Sequence, residues 1–536
     1  MKYGFVIDNR KCIGCHACTT ACKSEHDVAV GVNRTWVKQV EKGEFPDTRR
    51  LFSVMRCNHC TDAPCASICP TEALFTREDG IVDFDNDRCI GCKSCMQACP
   101  YDALYIDPDT STAAKCNYCA HRVDVGLEPA CVNVCPEHAI ISGDMHNPET
   151  EISQLLARQP VKVRKPEKAT EPNLFYIDAD DASLVPTETE KSDDYFWSSQ
   201  SHGVGHYAKE AEKLVGSNKT VIKEMQKVRE EEGRPVKSVD VLMNKASRAY
   251  DAPDKGILWG WEVSAYVWTK AIAAGLFLVP FLAWAFGLAP VNWKIFWISN
   301  VGGLLFLGLT GLLLIKDLDR PDRFLYVLLR PHWESWLVKG GYAISIFGAL
   351  LTAMMVIKFL GLPGLIAPLS WITAVVGVVV AVYTAFLFAQ AKGRDFWQSP
   401  TLAIHMLVHS VMAGAAVFLI LALIVPFAPE GFVLFAKNVL MISIGVNMLT
   451  MLFELTMTHP TKDAKTTVNM ITKGRYSRNF WMWVVLFGNI IPFAMIAFVA
   501  NAESALLPAI VSAFVLIGIY VTEHIWVEAP QRIPLS

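Results

Sequence analysis

The sequence predicts two fused parts, a soluble α+β head organised by repeated cysteine motifs and an all-α membrane body of about eight transmembrane helices. Three observations predict this. All 16 cysteines fall between Cys12 and Cys135. From Leu258 onward, long apolar runs recur with only short polar breaks, each run long enough to cross a hydrocarbon core. At 536 residues the chain also exceeds one ordinary core. The net charge of -3 gives no bias toward nucleic acid, and no such partner is expected.

Four runs divide the cysteines without remainder. Cys12, Cys15, Cys18 and Cys22 are spaced C-x2-C-x2-C-x3-C, and Cys89, Cys92, Cys95 and Cys99 repeat that spacing before Pro100. Cys57, Cys60, Cys65 and Cys69 read C-x2-C-x4-C-x3-C before Pro70. Cys116, Cys119, Cys131 and Cys135 read C-x2-C-x11-C-x3-C before Pro136. A cubane 4Fe-4S cluster takes four thiolates at tetrahedral corners, and a tight C-x2-C-x2-C loop presents three of them. In two-cluster ferredoxins the cysteine before the proline serves the other cluster. Four motifs therefore predict four cubanes in two bacterial-ferredoxin-like folds. Disulfides do not call for four repeated C-x2-C starts, and cysteine zinc sites come as separated C-x2-C pairs.

Over residues 1–177 this array resembles the four-cluster subunit shared by the dimethyl sulfoxide, polysulfide, sulfite and formate oxidoreductases of the molybdopterin superfamily. In that family the first motif pairs with the fourth and the second with the third. The resemblance implies one cluster on Cys12, Cys15, Cys18 and Cys135, and a neighbour on Cys116, Cys119, Cys131 and Cys22. The other pair would use Cys57, Cys60, Cys65 and Cys99, then Cys89, Cys92, Cys95 and Cys69. It also implies a separate catalytic subunit carrying the molybdopterin. Cluster potentials depend on hydrogen bonding and exposure, so the direction of electron flow stays open at this point.

The stretch GDMHNPETEISQLLARQ is helical in composition. Residues 178–256 form a connecting region, partly helical, with a helix expected over 208–232 in AKEAEKLVGSNKTVIKEMQKVREEE. Its charges read as the solvated face of an exposed helix. The opening MKYGFVIDNRKC has neither a basic n-region leading into an apolar stretch nor a twin-arginine pair, so no export signal is expected.

In the third part, 257–536, hydropathy places spans near 261–287, 293–315, 337–360, 366–390, 401–427, 433–457, 480–500 and 505–527. The loops after the second, fourth and sixth spans hold Lys316, Arg320, Arg323, Arg330, Lys339, Lys392, Arg394, Lys462, Lys465, Lys473, Arg475 and Arg478. The opposite loops offer Lys294, Lys358 and Lys437. This positive-inside bias predicts an inner-membrane protein, in contact with lipid, whose head faces the cytoplasm.

The segment DLDRPDRFLYVLLRPHWESW, residues 317–336, matches the signature of the polysulfide-reductase-type (NrfD-like) membrane subunit, and WGWEVSAYVWTKAIAAG, residues 259–275, resembles that family's first span. The resemblance covers residues 257–530 and implies an eight-helix fold that binds menaquinone or ubiquinone without haem. The two subunits are usually separate chains; here they are fused.

A quinone site needs groups at bilayer depth that hydrogen-bond two carbonyls and move protons. Glu262, Tyr266 and Lys270 recur every four residues on one face of the first span, and His405 and His409 share a face of the fifth. Asp317, Glu454, Glu523 and His524 end other spans on the same side. Glu262, Tyr266, Lys270, His405, His409 and Asp317 are the quinone candidates, while Lys270, Glu454, Glu523 and His524 are candidates for a proton path. Any one of them could equally pack or sit at the interface, and Lys270 could snorkel or pair with a carboxylate. Arg320, Arg323 and Arg330 read as anchors of the loop at the head interface, able also to stabilise an anionic quinone. A bis-histidine haem would need an imidazole from a second helix, which His459 or His524 supplies awkwardly.

The reading is a membrane-anchored electron-transfer subunit that links quinone to a catalytic partner through four clusters, with the main substrate chemistry on that partner. Its rivals are a redox-driven proton translocator, for which Lys270, Lys437 and Glu454 could line a route, and a direct ferredoxin:quinone reductase.

Overall fold

A computed structural model describes residues 1–43, 48–189, 246–424, 429–498 and 506–536. The chain divides into two compact units, the first made of Met1–Ser67, Ala73–Leu258 and Pro534–Ser536, the second of Ile68–Glu72 and Trp259–Ile533. The helix expected over 208–232 lies outside the described residues.

The first unit is α+β. Its four-stranded sheet runs in the order Ile140–Asp144, Tyr3–Asp8, Leu174–Ile177 and Val161–Lys162, with the second and third strands parallel. Phe5, Val6 and Ile7 are consecutive and all buried, so both faces of that central strand are covered. A three-stranded antiparallel sheet joins Ala246–Tyr250, Thr35–Lys42 and Arg49–Arg56. The far end of the connecting region is therefore a strand of the head's own sheet. Two short hairpins, Leu74–Thr76 with Val82–Phe84 and Leu104–Asp107 with Thr112–Lys115, complete the strands among the described residues. The helix expected around 143–159 is Glu151–Arg158, started by the Thr150 hydroxyl, which accepts from the Ser153 amide.

The cysteine motifs repeat in backbone conformation as well as in spacing. Gly14 and His16 of the first motif have φ 70° and 61°, and Gly91 and Lys93 of the third have 69° and 60°. His59 and Tyr118 hold left-handed φ values of 43° and 62° in the second and fourth. Interleaving left-handed residues with ordinary ones turns successive amides inward and makes a concave nest that suits a group accepting hydrogen bonds. Gly14 has a second reason to be glycine, because a Cβ there would fall 2.4 Å from the Phe52 ring.

The second unit is helical, and its described residues hold eight helices long and apolar enough to cross a membrane: Trp261–Ala285, Trp293–Lys316, Trp336–Phe359, Pro363–Gln390, Leu402–Ile424, Glu430–Thr456, Ser477–Ala497 and Leu506–Arg532. Large apolar side chains such as Leu305, Leu312, Phe359, Ile372 and Val375 are exposed on its outer face, as a hydrocarbon solvent requires. The first span is the central one, buried along most of its length. It touches the fifth at Gly275 and Gly414, where backbone meets backbone. Part of the seventh span, Phe480–Ile490, is π-helical.

Candidate functional site

In the head, buried thiols gather in sets. A cavity is lined by Cys12, Cys15, Cys18 and Cys135, together with Gly14 and His16. Burial pushes the Cys22 thiol pKa well up, and its ionisable neighbours include Cys116, Cys131, Arg56 and Cys119. Burial likewise raises Cys65, whose ionisable neighbours include Cys99, Cys57, Lys115 and Cys60. Backbone amides point at several of the sulfurs: His59 N to Cys57 Sγ at 3.4 Å, Gly91 N to Cys89 Sγ at 3.5 Å and Ala139 N to Cys135 Sγ at 3.3 Å. Four acids crowded in a dry site resist ionisation unless a cationic centre holds them, and soft thiolate donors with amide hydrogen bonds suit an iron-sulfur cluster. The donor set therefore fits the cofactor.

In the bundle, two imidazole–carboxylate pairs lie side by side. His405 Nδ1 is 2.9 Å from Glu454 Oε2, and His409 Nδ1 is 2.6 Å from Glu523 Oε1. These side chains are 0–3% exposed. The two rings, one helical turn apart on the fifth span, have centroids 4.2 Å apart, so the sixth and eighth spans each bring one carboxylate to a histidine pair. Thr401 Oγ1 and Trp526 Nε1 also donate to Glu454, each at 3.0 Å. Lys270 reaches in from the first span, with Nζ 2.6 Å from Thr384 Oγ1, 3.1 Å from Ala381 O and 4.5 Å from the Tyr383 ring centroid. Its charge and that of Glu523 act on each other. Lys270 thus stays inside the bundle on its own hydrogen bonds rather than snorkelling.

A protonated imidazole beside a carboxylate is neutral as a pair, so it tolerates a dry interior and can still release one proton. Among the described residues His409 Nε2 is buried without a partner, leaving one ring nitrogen able to meet something that is not protein. Ligand atoms of His405, His409 and Glu523 lie within 4.8 Å of one another, a spacing that also suits a cation.

The other predicted residues make contacts of their own outside these two couples. Tyr266 is buried and shares Thr384 with Lys270. Glu262, predicted to work with them, is half-buried and faces Lys316 at 3.6 Å. Asp317 caps the second span. His524 is 37% exposed, with Glu528 at 3.0 Å from its Nε2, and so stands at the bundle surface. In the loop after the second span, Arg320 pairs with Asp322 at 2.9 Å, Arg323 lies 3.8 Å from the same carboxylate, and Arg330 covers the Tyr326 ring at 4.8 Å.

Sequence reasoning missed Thr384, Tyr383 and Trp526, which carry no ionisable signal at neutral pH. It also missed His332 and Ser335. Within this same unit His332 N donates to Pro70 O at 3.0 Å, His332 Nδ1 lies 2.8 Å from Cys69 O, and Ser335 Oγ donates to Ile68 O at 2.7 Å. The C-x3-C-P end of the second cysteine motif is thus held by polar groups that follow the second span. The HWES run inside the signature segment was the available signal.

Comparison with known proteins gives two family matches. Residues 48–145 match the 4Fe-4S dicluster domain family, and residues 252–533 match the family described as polysulphide reductase, NrfD. The chain is 45% identical over 189 residues to a subunit of the tetrathionate reductase of Salmonella typhimurium, covering 34% of this chain and 76% of that one. It is 44% identical over 181 residues to one of the chains of the polysulfide reductase of Wolinella succinogenes, covering 33% and 94%. It is 34% identical over 225 residues to the arsenate respiratory reductase iron-sulfur subunit ArrB of a Shewanella species, covering 33% and 96%.

Proposed function

We propose that this chain, which belongs to the polysulphide reductase, NrfD family and carries an iron-sulfur electron-transfer head on the same polypeptide, exchanges electrons with menaquinone or ubiquinone at the His405–His409 cluster. The electrons pass through four 4Fe-4S clusters on the sixteen cysteines to or from a separate catalytic subunit. The carrying observation is the pair of imidazole–carboxylate couples, His405–Glu454 and His409–Glu523. When bound, the quinone supplies two-electron, two-proton chemistry. The two couples hold one transferable proton each, and Lys270 offsets the negative charge left when a couple gives its proton up. His409 Nε2 is the atom placed to hydrogen-bond a carbonyl oxygen. Trp526 and Thr401 fix the Glu454 carboxylate and hold the His405 ring in one orientation.

The partner reading follows the relatives, which are named as parts of tetrathionate, polysulfide and arsenate reductases, and the family resemblance makes that partner a molybdopterin enzyme. The charge bias of the loops supports a cytoplasmic head in the inner membrane. Purified protein tests the reading. Its dithionite-reduced clusters should be reoxidised by a soluble quinone analogue, and clusters that stay reduced in excess analogue overturn it.

A second reading, redox-driven proton translocation, draws on a buried polar face of the sixth span. Ser443, Asn447, Thr450 and Glu454 follow at helical spacing, and Asn447 Nδ2 donates to Asn489 Oδ1 in the π-helical stretch at 3.0 Å. Proteoliposomes that show no proton movement during turnover would leave the electroneutral reading alone.

A further inference from the structure

Each cysteine motif opens on a basic residue directly before its first cysteine: Lys11, Arg56, Arg88 and Lys115. Lys11 is exposed and Arg88 half-buried, whereas Arg56 and Lys115 are each 0% exposed. These two occupy matching places. Each is the last residue of a strand, Arg49–Arg56 or Thr112–Lys115, and each runs into a C-N-x-C turn, Cys57 to Cys60 or Cys116 to Cys119.

Each side chain reaches the cysteine set its own motif does not open, and Lys115 also acts on Cys116 of its own motif. Arg56 Nη1 donates to Cys131 Sγ at 3.1 Å, and the guanidinium lies 4.5 Å from the centroid of the Phe5 ring, in the field of Cys116 and Cys18. Lys115 Nζ donates to Val82 O and, at 2.8 Å, to Cys116 O, and the same side chain hydrogen-bonds Cys57. The thiols of Cys57 and Cys116 are near enough to act on each other, so the two sets adjoin. Among the described residues, Arg56 Nε and Nη2 have no protein partner. A buried guanidinium with two empty donor positions is costly unless a non-protein acceptor is present, and cluster sulfides are such acceptors.

We propose that Arg56 and Lys115 form a reciprocal electrostatic junction between the two ferredoxin-like halves. Each raises the reduction potential of the cluster across the junction, and together they keep matched the electron step between the set Cys57, Cys60, Cys65, Cys99 and the set Cys116, Cys119, Cys131, Cys22. In that step one cluster loses one electron and is oxidised while the other gains it and is reduced, and no proton moves. Reduction adds one negative charge to a buried cluster, so a fixed cation beside it favours the reduced form strongly in a low-dielectric interior. Two cations placed crosswise raise both potentials together, whereas one alone would make the step uphill in one direction.

This rests on the cluster assignment above, and the test separates the two. Full-length protein in detergent is first analysed for iron and acid-labile sulfide, then titrated potentiometrically with EPR detection. Arg56→Gln should shift the reduced-to-oxidised ratio of one cluster at least tenfold toward oxidised, about 59 mV for a one-electron couple. Lys115→Gln should shift a different cluster by a similar factor, and Arg56→Lys, which keeps the charge, should shift less than threefold. Unshifted potentials in both Gln variants with all clusters present overturn the junction, as does a shift of the same cluster by both. Should Arg56→Gln lose a cluster, Arg56→Lys decides. Full cluster content at a near-native potential supports the junction, and loss in that variant too makes Arg56 a structural clamp and overturns it. Unsubstituted protein with iron and sulfide for fewer than four clusters removes the assignment itself.

Discussion

Gly275→Ala should disable the bundle site without touching any residue in it. A Cβ at position 275 would stand 1.9 Å from Ser410 O, 2.7 Å from Gly414 N and 2.9 Å from Gly414 Cα, all backbone atoms of the fifth span. A carbon-to-oxygen contact needs about 3.3 Å, so the first and fifth helices must part by roughly 1.4 Å at this point. Such overpacking costs about 1–3 kcal/mol. The same movement separates Lys270 from His409, since each lies five residues before its helix's contact glycine. A displacement of about 1 Å at a reacting centre lowers rates on the order of 100-fold. The assay pairs thermal inactivation in detergent with the rate of cluster reduction by a quinol analogue, using Gly308→Ala as the control, because nothing lies within 4 Å of a Cβ there. If the Gly275 variant matches the Gly308 variant in both measurements, the close crossing does not set the site and the reasoning fails.

Other consequences are equally direct. Lys38 is 0% exposed, its Nζ has no partner among the described residues, and burial lowers its pKa from 10.5 to about 7. Between those two values the unfolded chain holds a proton that the folded chain lacks, so this residue makes stability rise with pH across that window and contributes its full penalty below about 7. Lys38→Met should therefore stabilise the head by up to about 4 kcal/mol at neutral pH and by less near pH 10, read from denaturation curves of cluster absorbance. Glu454→Gln and Glu523→Gln should each slow quinol-driven cluster reduction by roughly 100-fold or more, with cluster content unchanged, and alter its pH profile, because each removes the negative charge that holds a second proton on its histidine. Cys135→Ala should cost the iron of one cluster and change the EPR signature of its neighbour, while an unchanged iron content would remove Cys135 from the ligand set.

Much of this was legible in the sequence, for identifiable reasons. Candidate cluster ligands announce themselves because at least two thiolates of each set come from one tight C-x2-C turn, a spacing that survives any choice of scaffold. Spans show because hydrocarbon accepts only long apolar helices with internally satisfied backbones. Helical periodicity was enough to place Tyr266 with Lys270, and His405 with His409, on common faces. It could not pair His409 with Glu523, 114 positions away, nor His405 with Glu454, because those partners are chosen by how helices pack. Glu262 shows the limit of the four-residue rule: with 3.6 residues per turn the face drifts, and eight residues from Lys270 it has turned toward Lys316. The crossed reach of Arg56 and Lys115 was hidden for a similar reason, since a basic residue before a cysteine says nothing about which set of thiols its side chain faces.

The central claim is that protons handled by His405–Glu454 and His409–Glu523 and electrons held on the head's clusters belong to one reaction. Adding a quinol analogue anaerobically to fully oxidised protein, with cluster absorbance and proton release followed in the same cuvette, tests it most directly. The account predicts two electrons on the clusters and two protons released per quinol consumed, both slowed together by the combined Glu454→Gln and Glu523→Gln substitutions. Cluster reduction at an undiminished rate in that double variant, or no reduction by quinol in the unsubstituted protein, would contradict it.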